Sequence, residues 1–99
     1  MIGASSTQLV TADIAVGTSG APTRVFQITS LCDGSTRQVL LRNGTSTSGT
    51  IYFQRTGTAN VSVTNEFGEE GLLFPGGCFA DVVTGAGISS VITYRQEEA

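Results

Sequence analysis

The chain has 99 residues, 13 of them glycine, and its five cations face eight carboxylates for a net charge of −3. That length holds one hydrophobic core and leaves no room for a second. All five cations are arginine, and histidine and lysine are absent, which excludes an imidazole base, imidazole metal ligands and a Schiff-base amine, and an acidic chain with scattered arginines is a poor phosphate-backbone binder.

Residues 1–22 are rich in Ser, Thr, Ala and Gly, carry the single charge Asp13, and close on Gly20-Ala21-Pro22. They read either as an N-terminal arm that pairs with a neighbouring subunit or as an ordinary first strand over 8–16, ahead of a single β-sandwich domain over 23–99. The arm reading expects a protein without residues 1–22 to stay folded. The segment 24–32 alternates Phe26, Ile28 and Cys32 against Val25, Gln27 and Leu31. Both sets are partly apolar, as in a central strand. A short strand follows over 37–42. Over 50–56, Ile51 and Phe53 are expected inward and Tyr52 and Gln54 outward. Over 59–67, Ala59, Val61, Val63 and Phe67 share one face and Asn60, Ser62, Thr64 and Glu66 the other. Short strands are expected at 72–74 and 78–84. In 88–95, Ile88, Ser90, Ile92 and Tyr94 lie opposite Ser89, Val91, Thr93 and Arg95.

Turn signals separate these runs: Asp33-Gly34, Asn43-Gly44, Gly57, Gly68, Gly71, Gly76-Gly77 and Gly85-Ala86-Gly87. No apolar stripe at helical spacing is sustained, and β-branched residues fill the gaps between glycines. The expected fold is all-β with essentially no helix: an antiparallel β-sandwich, jelly-roll or immunoglobulin-like, of about seven to nine short strands.

No apolar run exceeds three residues, as in Val39-Leu40-Leu41 and Leu72-Leu73-Phe74, far short of the ~20 of a membrane helix. The first residues show neither a basic nor an apolar stretch, so synthesis in the cytoplasm without a secretory leader is expected. Cys32 and Cys78 could bridge two sandwich strands, but in a cytoplasmic product two buried reduced thiols are expected. Two cysteines without histidine make no zinc site. The loop from Glu66 to Gly71 lacks the ligand spacing of a calcium site, and Gly85-Ala86-Gly87 opens a strand and not a phosphate-binding helix. No cofactor, no metal and no catalytic residue is expected.

What remains is surface chemistry. Interfaces favour arginine over lysine. Together with the apolar residues of the first segment and the Phe-Pro pair before two glycines, this makes Leu9, Val10, Ile14, Arg24, Arg37, Arg42, Phe74 and Pro75 the candidate interface residues. Proline removes a ladder donor, so a strand must end or bulge at Pro75. A surface rich in Ser and Thr but poor in charge suits being covered by neighbours, because hydroxyls cost less to desolvate than charges.

The run from Leu40 to Phe53, with Asn43-Gly44-Thr45-Ser46 followed by Ser48-Gly49-Thr50, precedes Gly71-Leu72-Leu73-Phe74-Pro75-Gly76-Gly77-Cys78 and the closing Val91-Ile92-Thr93-Tyr94. Over about residues 38–95 this order resembles the small β-sandwich virion proteins of tailed bacteriophages, the head-decoration or cement-like subunits and the neck or tail accessory subunits. The resemblance implies a non-enzymatic structural protein, assembled in the host cytoplasm and carried on the capsid exterior. Its implied partners are the major capsid protein and further copies of itself, with a trimer favoured. Neither nucleic acid nor membrane is an expected partner. A neck or tail subunit of the same fold is the first alternative, and a carbohydrate- or host-surface-binding module the second.

Overall fold

The computed structural model describes residues 5–34, 37–83 and 87–97. Among them it contains no helix. The strands are β1 (Ser6–Val10), β2 (Ile14–Val16), β3 (Thr23–Cys32), β4 (Arg37–Asn43), β5 (Thr50–Gly57), β6 (Ser62–Glu66), β7 (Leu72–Phe74), β8 (Cys78–Val82) and β9 (Ile88–Gln96). They form two antiparallel sheets. Sheet A has the order β1-β9-β3-β6, with β7 continuing along the same edge of β3, and sheet B has the order β2-β8-β4-β5.

The connectivity follows one rule. The pairs β1–β2, β3–β4, β5–β6 and β8–β9 each pass from one sheet to the other, so that β1, β9, β3 and β6 across sheet A are joined in the chain to β2, β8, β4 and β5 in the same order across sheet B. With β6 and β7 taken as one interrupted strand, this is the eight-strand jelly roll. It is not the immunoglobulin arrangement, whose first two strands share a sheet.

The core lies between the sheets. Val10, Val25, Ile28, Ile88 and Ile92 meet Val16, Val39, Leu41, Ala80 and Val82 there, and Phe74 closes one end. Each large side chain buried in this way contributes on the order of 2 kcal/mol through burial of apolar surface.

Two bulges explain why the alternation read from the sequence changes phase. In β3 the register with β9 shifts between Val25 and Gln27, so Thr23 and Val25 on one side of Phe26, and Ile28, Ser30 and Cys32 on the other, all face the core. Val25 therefore joins Ile28 inside, where simple alternation opposes them. In the β4–β5 pair the register shifts after Leu41. Phe53 stays inward opposite Leu41. Ile51 pairs with Arg42 and is exposed, contrary to its expected inward position. The skipped Tyr52 packs on Phe74 with ring centroids 5.2 Å apart. Val61 precedes β6 and is likewise exposed, whereas Val63 and Phe67 turn inward, Phe67 meeting Phe53 edge-on at 5.1 Å.

The first segment is built into the fold. β1 pairs with β9 and β2 with β8, and Val10 and Val16 are core residues. Residues 6–16 thus supply one edge strand to each sheet, and removing residues 1–22 would open the core along its whole side. The single first strand expected over 8–16 is two strands, β1 and β2, one at an edge of each sheet, and residues 1–4 lie outside the described residues. β8 ends at Val82, and position 84 of its expected range also lies outside them, as do Gly85 and Ala86 of the last turn.

The two segments that carry the sequence resemblance meet at one end of the sandwich. The Gly76 amide donates to Asn43 Oδ1 at 2.7 Å, and the Gly44 amide donates to the Gly77 carbonyl at 2.9 Å. Gly77 has φ +98° and closes the turn back onto Phe74, a conformation that a side chain would strain. At the other end Gly57 lies against the Cys32 sulfur, where a Cβ would collide.

Candidate interaction surface

The outward faces of the two sheets differ in kind. In sheet A the cross-strand partners form rows. One row runs Leu9, Val91, Thr29 and Thr64, and the next toward the Cys32 end runs Ser89, Leu31 and Ser62. A third runs Thr7, Thr93, Gln27 and Glu66. The first two rows contain no charge. Leu9 is 62% exposed, Leu31 50% and Val91 44%, and Leu9 and Val91 are direct neighbours. The Thr29 and Thr64 hydroxyls hydrogen-bond each other at 2.9 Å, which offsets part of their need for water. The result is a firm, uncharged face with apolar side chains in contact with solvent.

In sheet B the outward Leu40 lies between Asp81 and Gln54 of the flanking strands and is only 5% exposed. Arg42, two residues along, donates from Nε to Asp81 Oδ2 at 2.9 Å and from Nη1 to the Gly49 carbonyl at 2.8 Å. The stem of such an arginine covers apolar surface while its head stays bonded.

The candidate interface residues therefore separate. Leu9 sits on the outer face of sheet A. Ile14, 47% exposed, lies on the adjacent edge strand β2, and Pro75 is exposed at the turn before Gly76. Val10 and Phe74 are buried in the core, and a side chain with no exposed surface presents nothing to a partner. These two are corrected to structural residues. The arginines are held within the chain. Arg24 Nε pairs with Glu97 Oε1 at 2.8 Å and Arg95 Nε with Glu97 Oε2 at 3.1 Å, while Arg37 pairs with Asp33 at 3.1 Å and Arg42 with Asp81. The arginine bonds hold the Glu97 carboxyl below the usual glutamate range, and the hydrogen bond to Asp33 raises Arg37. Arg95 also lies over the Phe26 ring at 5.3 Å.

Leu31 and Val91, which sequence reasoning left out of the interface set, are at the centre of the sheet A face. Leu31 carried a signal, since it falls opposite the core in a segment whose two faces are both partly apolar; Val91 is the one large apolar residue on its face of 88–95.

The remaining chemistry is spare. Cys32 and Cys78 are free and buried. Cys32 touches Gly57, which pairs with Arg37, whereas Cys78 pairs with Asn43. Arg37 and Asn43 are the two ends of β4, ~20 Å apart at ~3.3 Å per residue, beyond the reach of a disulfide. Burial pushes the Cys78 thiol up to about 12, which keeps it protonated and unreactive at neutral pH. Among the described residues no three His, Cys, Asp or Glu side chains gather as metal ligands. Compared with known proteins, the chain matches no family, no curated protein and no solved structure.

Proposed function

We propose that this chain is a structural subunit of a phage virion, which decorates the capsid exterior and reinforces it by bridging capsid subunits. The observation that supports the reading is the outer face of sheet A, where Leu9, Leu31 and Val91 stand in solvent among Ser and Thr without a charge. Such a face gains by being covered and loses little by desolvation. The resemblance over about residues 38–95 supplies the partner, the major capsid protein, and the homo-oligomeric state. In this role the protein performs no catalysis. Many weak contacts of this kind, repeated over a shell, act multivalently and clamp the joints between subunits.

The test mixes the purified protein with capsids that lack it, sediments them, and images the particles. Decoration predicts co-sedimentation with occupancy in proportion to the capsid subunits, and loss of binding in Leu31→Glu while that variant stays folded. Density confined to a neck or tail ring would replace this role with the accessory one. No association of the wild type with any particle would refute both.

A further inference from the structure

A sandwich has four edge strands, and unpaired edges recruit other chains unless they are blunted. Three of the four edges here are blunted. β2 has three residues. The β6–β7 edge is broken by residues 67–71, with Glu66, Glu69 and Glu70 beside the break. β5 carries the bulge at Tyr52, and its Arg55 pairs with the core residue Val39, so this cation points between the sheets and its Nε lies buried without a hydrogen-bond partner. Bulges and inward charges are both edge-protecting devices.

β1 has none of these. Its five residues, Ser6-Thr7-Gln8-Leu9-Val10, contain no charge, no proline and no register break against β9. Its outward Leu9 is the most exposed large apolar residue described. The strand is also held in place from within. Gln8 Nε2 donates to the Ala15 carbonyl at 2.9 Å, and Gln8 Oε1 accepts the Gly17 amide at 3.0 Å. These bonds tie β1 to the neighbouring edge of sheet B, so little order remains to be imposed on binding.

We propose that the free edge of β1 pairs antiparallel with β1 of a second copy, about a two-fold axis at Gln8. A second copy fits because the strand is complementary to itself. The axis sets Ser6 against Val10 and Thr7 against Leu9, so the inward set meets the inward set and the outward set the outward. No like charges are brought together, since β1 has none. The two Leu9 side chains become diagonal neighbours and join the Leu9–Val91 pairs of both copies into one apolar strip across a continuous sheet. The proposal does not rest on the capsid reading and stands or falls with the free protein.

Sedimentation velocity of the full chain over a concentration series, with hydrogen exchange of the β1 amides, tests it. The expected result is a dimer, with exchange in Ser6–Val10 slowing as the dimer forms. Leu9→Lys, which sets two cations near the axis, is expected to weaken the dimer by tenfold or more, roughly the factor 1.4 kcal/mol represents. At concentrations where both are monomeric, its circular dichroism and melting midpoint should match the wild type. Leu31→Lys, on the same face but two strands inward, is expected to leave the dimer intact. A wild type that is monomeric at every concentration, or trimeric, overturns the proposal. So does a dimer that Leu31→Lys disrupts and Leu9→Lys does not, because that pattern belongs to face-to-face contact.

Discussion

The outer faces of the two sheets solve the same problem in opposite ways. Each has apolar side chains on a central strand pointing away from the core, Leu40 in sheet B and Leu31 in sheet A. Sheet B covers its leucine from within the chain, beside the Arg42–Asp81 pair, and leaves 5% of it exposed. Sheet A surrounds its leucine with Ser62, Ser89 and Thr29, which are too short to cover it, and leaves 50% exposed. Charge follows the same division. Sheet B places an ion pair in mid-face, while sheet A confines Arg24, Arg95 and Glu97 to one end. One face covers its leucine within the chain, and the other leaves Leu9, Leu31 and Val91 in solvent.

The largest effect comes from the core that both faces share. Phe74→Ala removes a fully buried ring that packs on Tyr52, and thermal or denaturant unfolding is expected to show a loss of about 3–5 kcal/mol. Both sheets should melt in one transition. Separate transitions for the two sheets would break the picture of a single core.

Arg42→Ala tests the cover on sheet B. It leaves Asp81, the 8% exposed cross-strand partner of Leu40, without its cation. A loss of about 1–3 kcal/mol is expected, below that of a fully buried pair because both groups keep some solvent contact. The variant should also bind a hydrophobic dye that the wild type excludes from this face. An unchanged melting midpoint would mean that Leu40 is covered by something else.

Glu97 probes the end of sheet A where its charges gather. Its folded carboxyl lies below the glutamate range, first through the Arg24 hydrogen bond and then through that of Arg95. The unfolded chain takes up this proton before the folded one, so the stabilisation is present above the ordinary glutamate value and is lost as pH falls through the lowered one. Denaturation curves across the acid range should show a fall in stability that Glu97→Gln reduces. The smallest effect on folding is expected for Leu31→Ser, within about 0.5 kcal/mol because the side chain is half exposed. A larger loss would show that sheet A, like sheet B, covers its leucine internally.

Period-two patterning was sufficient for the fold class. The run over 88–95 alternates cleanly, and its Ile88, Ser90 and Ile92 are inward in the structure; over 59–67 Val63 and Phe67 are inward, but Val61, which precedes β6, is exposed. Patterning failed at Ile51 and Val25, where a bulge advances the chain by one residue and reverses every later side chain. A bulge is set by how two strands fit each other, and neither strand alone carries its position. The same limit applied to the candidate surface. Exposure of Leu9 and burial of Val10 follow from alternation once β1 is known to be a sheet edge. Whether residues 6–16 were arm or edge depended on pairing with β9 and β8, more than 60 residues away.

Local chemistry therefore accounts for strands, turns and the absence of helix, because side-chain alternation and glycine placement act over a few residues. Pairing across the chain settled the jelly-roll order, the closure of the Asn43 and Gly76 turns on each other, the neutralisation of Arg24 and Arg42 by carboxylates, and the choice of which leucines stay in water. These are long-range contacts, and their energies depend on which distant residues the two sheets bring within reach.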